Sequence, residues 1–342
     1  MLSETIKFSQ LCTLLEGISS QTKKDTKKQK LEKLFGDWLN EDKDVYPLMR
    51  LIVPKLDKER EYYGMKESKI ADIYIDLLAL SKKSSDAVSL KQWAKSSRKN
   101  VTDFADVAFQ VIKDRSTVDK SSLTIKEVNG ILDSLYIAAE KRDVFSDIIS
   151  KMTPLEQKWL IRIIIKEVKL GLGELTILKQ FHPDASDFYN VTTDLKQVCV
   201  ELKDKSIRRE SNDIVLFSPF KPMLAEREHI SCIVDAMDDD FVIEEKLDGE
   251  RIQIHKNGDE YRYFSRNGTD YTYLYGIDNT RGALTSDIHD LFSDIVRNAI
   301  LDGEMMAYDP ISREFLPFGT LKTAALQDTG DPTQPRVCCK FF

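Results

Sequence analysis

The sequence predicts a chain of two parts: an all-α region over residues 1–212, then an α+β region over residues 213–342 built on antiparallel strands. Two patterns carry this reading. Up to about residue 204 the apolar residues recur three and four apart, with few Gly or Pro between them. From residue 213 onward, short alternations of period two are punctuated by turn pairs, Asp248-Gly249, Asn257-Gly258 and Asn267-Gly268. A length of 342 residues makes two domains the natural division.

In the helical region, Phe8, Leu11, Cys12, Leu15 and Ile18 form one stripe, with Ser9 as a candidate N-cap. The lysines of residues 23–30 read as a solvated linker. The next stripe is Leu31, Leu34, Phe35, Trp38 and Leu39. Pro47 suits a first helical turn ahead of Met49, Leu51, Ile52 and Leu56. Ile70, Ile73, Tyr74, Leu77 and Leu78 follow, then a polar loop over 81–86. Thr102 or Asp103 caps the helix of Phe104, Val107, Ala108, Val111 and Ile112. Thr124 with Glu127 is a capping-box pair ahead of Val128, Ile131, Leu132 and Leu135.

Residues 154–172 give the most informative helix. Ile161, Ile165, Val168 and Leu172 share one side, and Lys158, Arg162, Lys166 and Lys169 recur at helical spacing as a cationic seam. Such a seam serves a phosphate backbone, and equally a core helix with a solvated charged face. Gly171 and Gly173 end the helix with amides free to meet a phosphate.

The second region is organised around Glu244-Glu245-Lys246-Leu247-Asp248-Gly249-Glu250-Arg251. Residues 240–246 alternate as a strand. Asp248-Gly249 supplies turn chemistry. Residues 251–256 and 260–266 form a hairpin about Asn257-Gly258. A lysine that acts as a nucleophile must be neutral when it attacks, and burial or a neighbouring cation such as Arg251 favours the amine. Gly249 lets the backbone approach a ligand closely. An ordinary hairpin with a charged turn is the competing reading. Further on, Ile300, Asp302, Glu304 and Met306 share one strand face. Two carboxylates at that spacing are costly to bury unpaired and suit a ribose hydroxyl or hydrated Mg²⁺, or else an exposed acidic edge. The chain ends at Cys338-Cys339-Lys340-Phe341-Phe342, a hydrophobic strand start, which reads as truncation within a domain.

Composition narrows the classes. Five cysteines lack metal-ligand spacing, which argues for a reducing compartment without a disulfide framework. No apolar run spans a bilayer, and the first ten residues have no signal-peptide core. A net charge of −7 disfavours binding a polyanion by bulk charge, so any nucleic-acid contact uses local cations.

The pattern Lys246-x-Asp248-Gly249-x-Arg251, then Ser265-Arg266-Asn267-Gly268 and Leu301-Asp302-Gly303-Glu304, resembles the ATP-dependent DNA ligases within the covalent nucleotidyltransferases. Residues 220–225 (FKPMLA) resemble the family's entry into its adenylation domain. Residues 156–162 and 169–171 resemble the signature of its helical DNA-binding domain. Residues 190–195 and 263–268 resemble the eukaryotic subfamily that seals double-strand breaks in non-homologous end joining.

The resemblance implies an all-α DNA-binding domain followed by a partial α+β nucleotidyltransferase domain. It implies Lys246 as the nucleophile that carries AMP, with ATP and Mg²⁺ as cofactors. Glu244, Glu245, Leu247, Asp248, Arg251, Arg266, Glu304 and Phe342 (or Phe341 in a shifted register) form the nucleotide set, and Glu304 and Asp302 are candidate metal ligands. Lys158, Arg162, Lys166, Lys169 and Gly171 contact DNA. Nicked or broken duplex DNA is the implied partner. A coiled-coil scaffold protein met through C-terminal repeats and the Artemis nuclease met through the helical domain are also implied, as is a nuclear location. The later family motifs and the closing oligonucleotide-binding domain are absent, so weak or no self-adenylation is expected of this chain. An mRNA-capping guanylyltransferase shares the lysine pattern but lacks a long helical domain before it. A non-catalytic DNA-end-binding module is the reading of a different class.

Overall fold

The computed structural model describes residues 1–42, 44–95, 103–209, 214–222, 225, 227–237, 241–326, 331 and 333–341. Thr102, Met223, Leu224 and Phe342 lie outside the described residues. The chain divides into two compact units, Met1–Tyr189 with Asp194–Glu210, and Asn190–Thr193 with Ser211–Phe342.

The first unit is helical: α1 (Phe8–Ser19), α2 (Lys24–Glu41), α3 (Tyr46–Ile52), α4 (Glu67–Leu77), α5 (Ser85–Lys91), α6 (Phe104–Lys113), α7 (Ile125–Ile137), α8 (Lys141–Lys151), α9 (Pro154–Ile164), α10 (Glu174–Phe181), α11 (Ala185–Thr192, whose residues from Asn190 onward belong to the second unit) and α12 (Leu195–Glu201). The stripe read in α1 is its buried face. The helix starts after Lys7, so Ser9 lies inside it and is not the cap. Asp103 accepts the Asp106 N–H at 2.9 Å and caps α6. Thr124 and Glu127 close the capping box of α7.

The lysine-rich stretch is not a linker. α2 begins at Lys24, and Lys27 continues the buried face of Leu31, Phe35 and Trp38 one turn upstream. Its stem is buried, and its amine donates to the carbonyls of Leu170 (2.7 Å) and Ser19 (3.3 Å).

α9 is central, packed against α6 and α1. Pro154 opens it, and the Thr153–Glu156 capping box satisfies its first amides. It ends at Ile164, not at residue 172. Lys166 adopts φ +62°, the Glu167 N–H returns to the Arg162 carbonyl (2.8 Å) and the Lys166 N–H to that of Ile163 (3.1 Å). That is a Schellman stop with lysine at the left-handed position where glycine is usual. The Lys166 amine holds this conformation by donating to the carbonyls of Pro54 (2.7 Å) and Asp57 (3.3 Å).

The second unit is built on an antiparallel sheet of β1 (Glu250–Asn257), β2 (Glu260–Ser265), β3 (Asn298–Asp309), β4 (Glu314–Phe315) and β5 (Arg336–Phe341). β3 is the hub, pairing with β1, β4 and β5. The hairpin turns one residue later than its Asn-Gly pair suggests. Asn257 pairs with Glu260, so Gly258 and Asp259 make the turn, and Gly258 has φ +58°. Ile252, Ile254, Tyr261, Tyr263 and Met305 line the core face, against Leu274, Tyr275 and Leu321. On the opposite face the Gln253 amide exchanges two hydrogen bonds with the backbone of Phe220, and His255 Nδ1 accepts the Phe217 N–H at 3.0 Å.

Residues 241–248 form no strand, contrary to the alternation of 240–246. Val242 and Ile243 are 80% and 86% exposed. Alternation makes a strand only where a neighbouring strand takes up its N–H and C=O groups, and here none pairs with them among the described residues.

Candidate functional site

Where β1 begins and β2 ends, a cavity of about 880 Å³ opens. Its size lies within the range of ligand pockets, roughly 300–1,000 Å³. Lys246 lines it together with Arg251, Arg266 and Glu304. Strand pairing brings these groups in from distant positions: Arg251 on β1 stands directly opposite Glu304 on β3. Arg251 reaches diagonally to Asp302, the next residue of the same face, at 2.9 Å (Nε) and 2.5 Å (Nη2). That hydrogen-bonded carboxylate raises the guanidinium pKa further and fixes its direction.

Glu304 Oε1 accepts the Gly249 N–H at 3.1 Å and so ties the turn after Lys246 to β3. Gly249 is required there. A Cβ would lie 2.3 Å from the Met305 carbonyl oxygen.

The site residues expected from the sequence distribute as follows. Glu244, Glu245, Lys246, Leu247, Arg251, Arg266 and Glu304 line the cavity, with Lys246 exposed. Asp248 does not line it and belongs to a small neighbouring cleft. Asp302 stands behind Arg251 and is not in the lining. Phe342 is outside the described residues, and Phe341 is 39% exposed on β5. Sequence reading missed Tyr271 and Phe318, which give the cavity aromatic walls. Tyr271 follows the Asn267-Gly268 turn closely enough that its return toward β2 was open to inference. Phe318 carries no local signal, because only the course of the chain after β4 brings it here.

Profiles of two known domains match the chain in sequence. The description "DNA ligase N terminus" matches residues 7–182, and "ATP dependent DNA ligase domain" matches residues 222–342. The chain belongs to the ATP-dependent DNA ligases. It is 43% identical over 350 residues to DNA ligase 4 of Coprinopsis cinerea, covering 99% of this chain and 34% of that protein. It is 43% identical to DNA ligase 4 of Gallus gallus (92% of this chain, 36% of that protein) and 42% identical to that of Homo sapiens (92% and 37%). The chain spans about a third of the length of these curated relatives.

For a family that uses ATP, the lining is chemically apt. Two guanidinium groups and an amine suit phosphates, a carboxylate suits a sugar hydroxyl, and Leu247, Tyr271 and Phe318 offer apolar surface. Among the described residues no three His, Cys, Asp or Glu side chains group to hold an ion. The expected ligands are also engaged, Asp302 by Arg251 and one oxygen of Glu304 by Gly249.

The cationic seam of the first unit differs from its sequence reading. Lys158 is buried and pairs with Glu16 (3.0 Å) and Asp106 (2.9 Å). Arg162 is 4% exposed, pairs with Asp103 (3.0 Å) and Asp106 (3.2 Å), and lies over the Trp159 ring. Neither side chain presents an open charge. Lys166 and Lys169 leave the helical register because the helix has already ended, and burial pushes the Lys166 amine down to about 8. Lys169 is exposed and pairs with Glu167. Gly171 is exposed, with φ +72°, and a Cβ there would lie 2.7 Å from the Lys27 amine. Helical spacing revealed a common face but could not tell burial from exposure, and α1 and α6 supply the acids that bury it.

No helix among the described residues is long and apolar enough to cross a membrane, and all five cysteines are free.

Proposed function

We propose that this chain is the nucleotide-charging and DNA-gripping part of a ligase that joins broken DNA strands, with the second unit charging and the first gripping. The observation that carries the reading is the convergence of Lys246, Arg251, Arg266 and Glu304 on one cavity of nucleotide size in a chain of this family. The neutral Lys246 amine attacks the α-phosphorus of magnesium-bound ATP. An N–P bond forms, the bond to the bridging oxygen breaks, pyrophosphate leaves and the amine's proton passes to solvent. Arg251, aimed by Asp302, and Arg266 balance charge on the phosphate, where electrostatic stabilisation is the main source of rate. Glu304 holds the ribose, and Glu244, Glu245 and Leu247 lie along the base. AMP then passes from Lys246 to a DNA 5′-phosphate, and a 3′-hydroxyl displaces it.

Similarity to ligases named DNA ligase 4 supports a role in double-strand-break repair by end joining in the nucleus. A scaffold protein and a processing nuclease are the partners that role calls for. Because the two buried cations of α9 are spent on internal acids, DNA contact by the first unit is assigned to Lys169 and the backbone at Gly171.

Intact-mass measurement after incubation with ATP and Mg²⁺ tests the charging step. A small fraction of the chain should gain one AMP, on Lys246, because this lysine is exposed on a segment without strand pairing. Lys246→Ala should gain none. Equal charging by GTP would favour a capping guanylyltransferase. Label on another residue refutes the reading.

A further inference from the structure

A second concavity of about 460 Å³ lies along the outer edge of β2, in the same unit as the nucleotide cavity. β2 is an edge strand, and the segment after it folds back along that edge. Tyr271 N–H donates to the Tyr263 carbonyl (2.8 Å), and Tyr261 N–H to that of Ile277 (2.8 Å). One strip of chain therefore separates the two hollows. Thr269 and Tyr271 line the nucleotide cavity, while Asp270, Thr272 and Tyr273 line the second one.

The far wall of the second hollow is a built loop. Gly276 (φ +111°) and Gly282 (φ +93°) bring the ends of residues 276–282 into backbone contact. A Cβ at Gly276 would lie 1.8 Å from the Arg281 carbonyl oxygen, and one at Gly282 would lie 2.3 Å from the Gly276 nitrogen. Thr285 Oγ1 pins the loop by donating to the Gly276 carbonyl at 2.6 Å, and the buried Tyr263 hydroxyl braces that threonine at 2.7 Å. The backbone of Arg281 is thus fixed while its side chain is exposed. After the hydrogen bonds from Thr280, its charge helps hold down the pKa of the Asp278 carboxylate on the same loop, and among the described residues no acid lies within salt-bridge distance of it. Tyr273 is 73% exposed on the same hollow. Arg262 adds a second guanidinium, paired with Glu260, against the single carboxylate of Asp270, which accepts the Thr272 N–H.

We propose that this hollow is a subsite for a DNA strand leaving the nucleotide cavity. Arg281 takes a backbone phosphate, and the Tyr273 ring packs on the adjoining sugar or base. A guanidinium suits a phosphodiester, and an exposed aromatic is a sequence-tolerant stacking platform. In an acidic chain, a phosphate contact has to come from a local cation that no salt bridge engages, and among the described residues Arg281 is one. The inference rests on the DNA-joining reading and deepens it.

The test is fluorescence anisotropy of the 342-residue chain with a labelled nicked duplex across a salt series. Arg281→Ala should weaken binding about tenfold and lower the log–log salt slope by about one. Arg281→Lys should keep the slope. Tyr273→Ala should weaken binding about tenfold at unchanged slope. Labelling of Lys246 by ATP, read on the same preparations, should match wild type, since neither residue lines the nucleotide cavity. Wild-type affinity and slope in Arg281→Ala would overturn the subsite and leave the joining reading standing. A wild-type chain that neither binds the duplex nor takes label at Lys246 would overturn both.

Discussion

Gly249→Ala tests whether the turn after Lys246 is held against β3. The new Cβ falls 2.3 Å from the Met305 carbonyl oxygen, 2.7 Å from Met306 Cγ and 2.9 Å from Glu304 Cγ. The two side-chain atoms can turn aside. The carbonyl cannot, because β3 is paired along both edges at Met305, with Glu250 of β1 and Cys339 of β5. The turn must retreat by roughly 1 Å to reach ordinary contact, and forced overpacking of this kind costs about 1–3 kcal/mol. The retreat also lengthens the 3.1 Å bond from Gly249 N–H to Glu304, and hydrogen bonds to charged groups contribute about 1.5–3 kcal/mol. Because residues 241–248 are unpaired, they absorb most of the displacement. Unfolding of the second unit should become easier by only about 1–2 kcal/mol, the lower part of those ranges. The loss should fall on charging, since a misplacement of about 1 Å can reduce a rate about a hundredfold. Urea melts followed by circular dichroism measure the first effect, and the initial rate of AMP incorporation measures the second. Gly36→Ala is the control. Gly36 lies in α2 with nothing within 4 Å of a built Cβ, so this change should stabilise the first unit by about 1 kcal/mol. Wild-type charging and stability in Gly249→Ala would refute the coupling of the turn to β3.

Arg162→Met should destabilise the first unit by about 3–5 kcal/mol in the same urea assay, because Asp103 and Asp106 lose a buried cation; a change under 1 kcal/mol would mean the pair is solvated. His255 is fully buried, Nε2 has no hydrogen-bond partner among the described residues, and burial pushes its pKa down to about 4. Its folded value lies below the unfolded 6.5, so the unfolded chain binds the proton first. Stability is whole above pH 6.5 and falls toward pH 4, by about 3 kcal/mol in all. His255→Gln keeps an acceptor for the Phe217 N–H and should flatten that limb in urea melts run from pH 7 to pH 4; an unchanged slope would assign the acid limb to other groups.

The order of helices and strands was legible from the sequence because periodicity is a local property. The α1 stripe, the Thr124–Glu127 cap, the hairpin and the face shared by Asp302 and Glu304 each depend on residues a few positions apart. The lysine pattern and its later companions were legible for the same reason. What needed the tertiary structure was whatever depends on a distant neighbour. Lys158 and Arg162 look like an open phosphate-binding edge until α1 and α6 place Glu16, Asp103 and Asp106 against them. Residues 240–246 alternate like a strand, yet they have no partner to bond. Phe318 enters the nucleotide cavity, and Asp248 leaves it, through chain paths that no spacing rule encodes. Periodicity tells which side chains share a face, but whether that face meets protein, water or a ligand depends on what the rest of the chain brings to it.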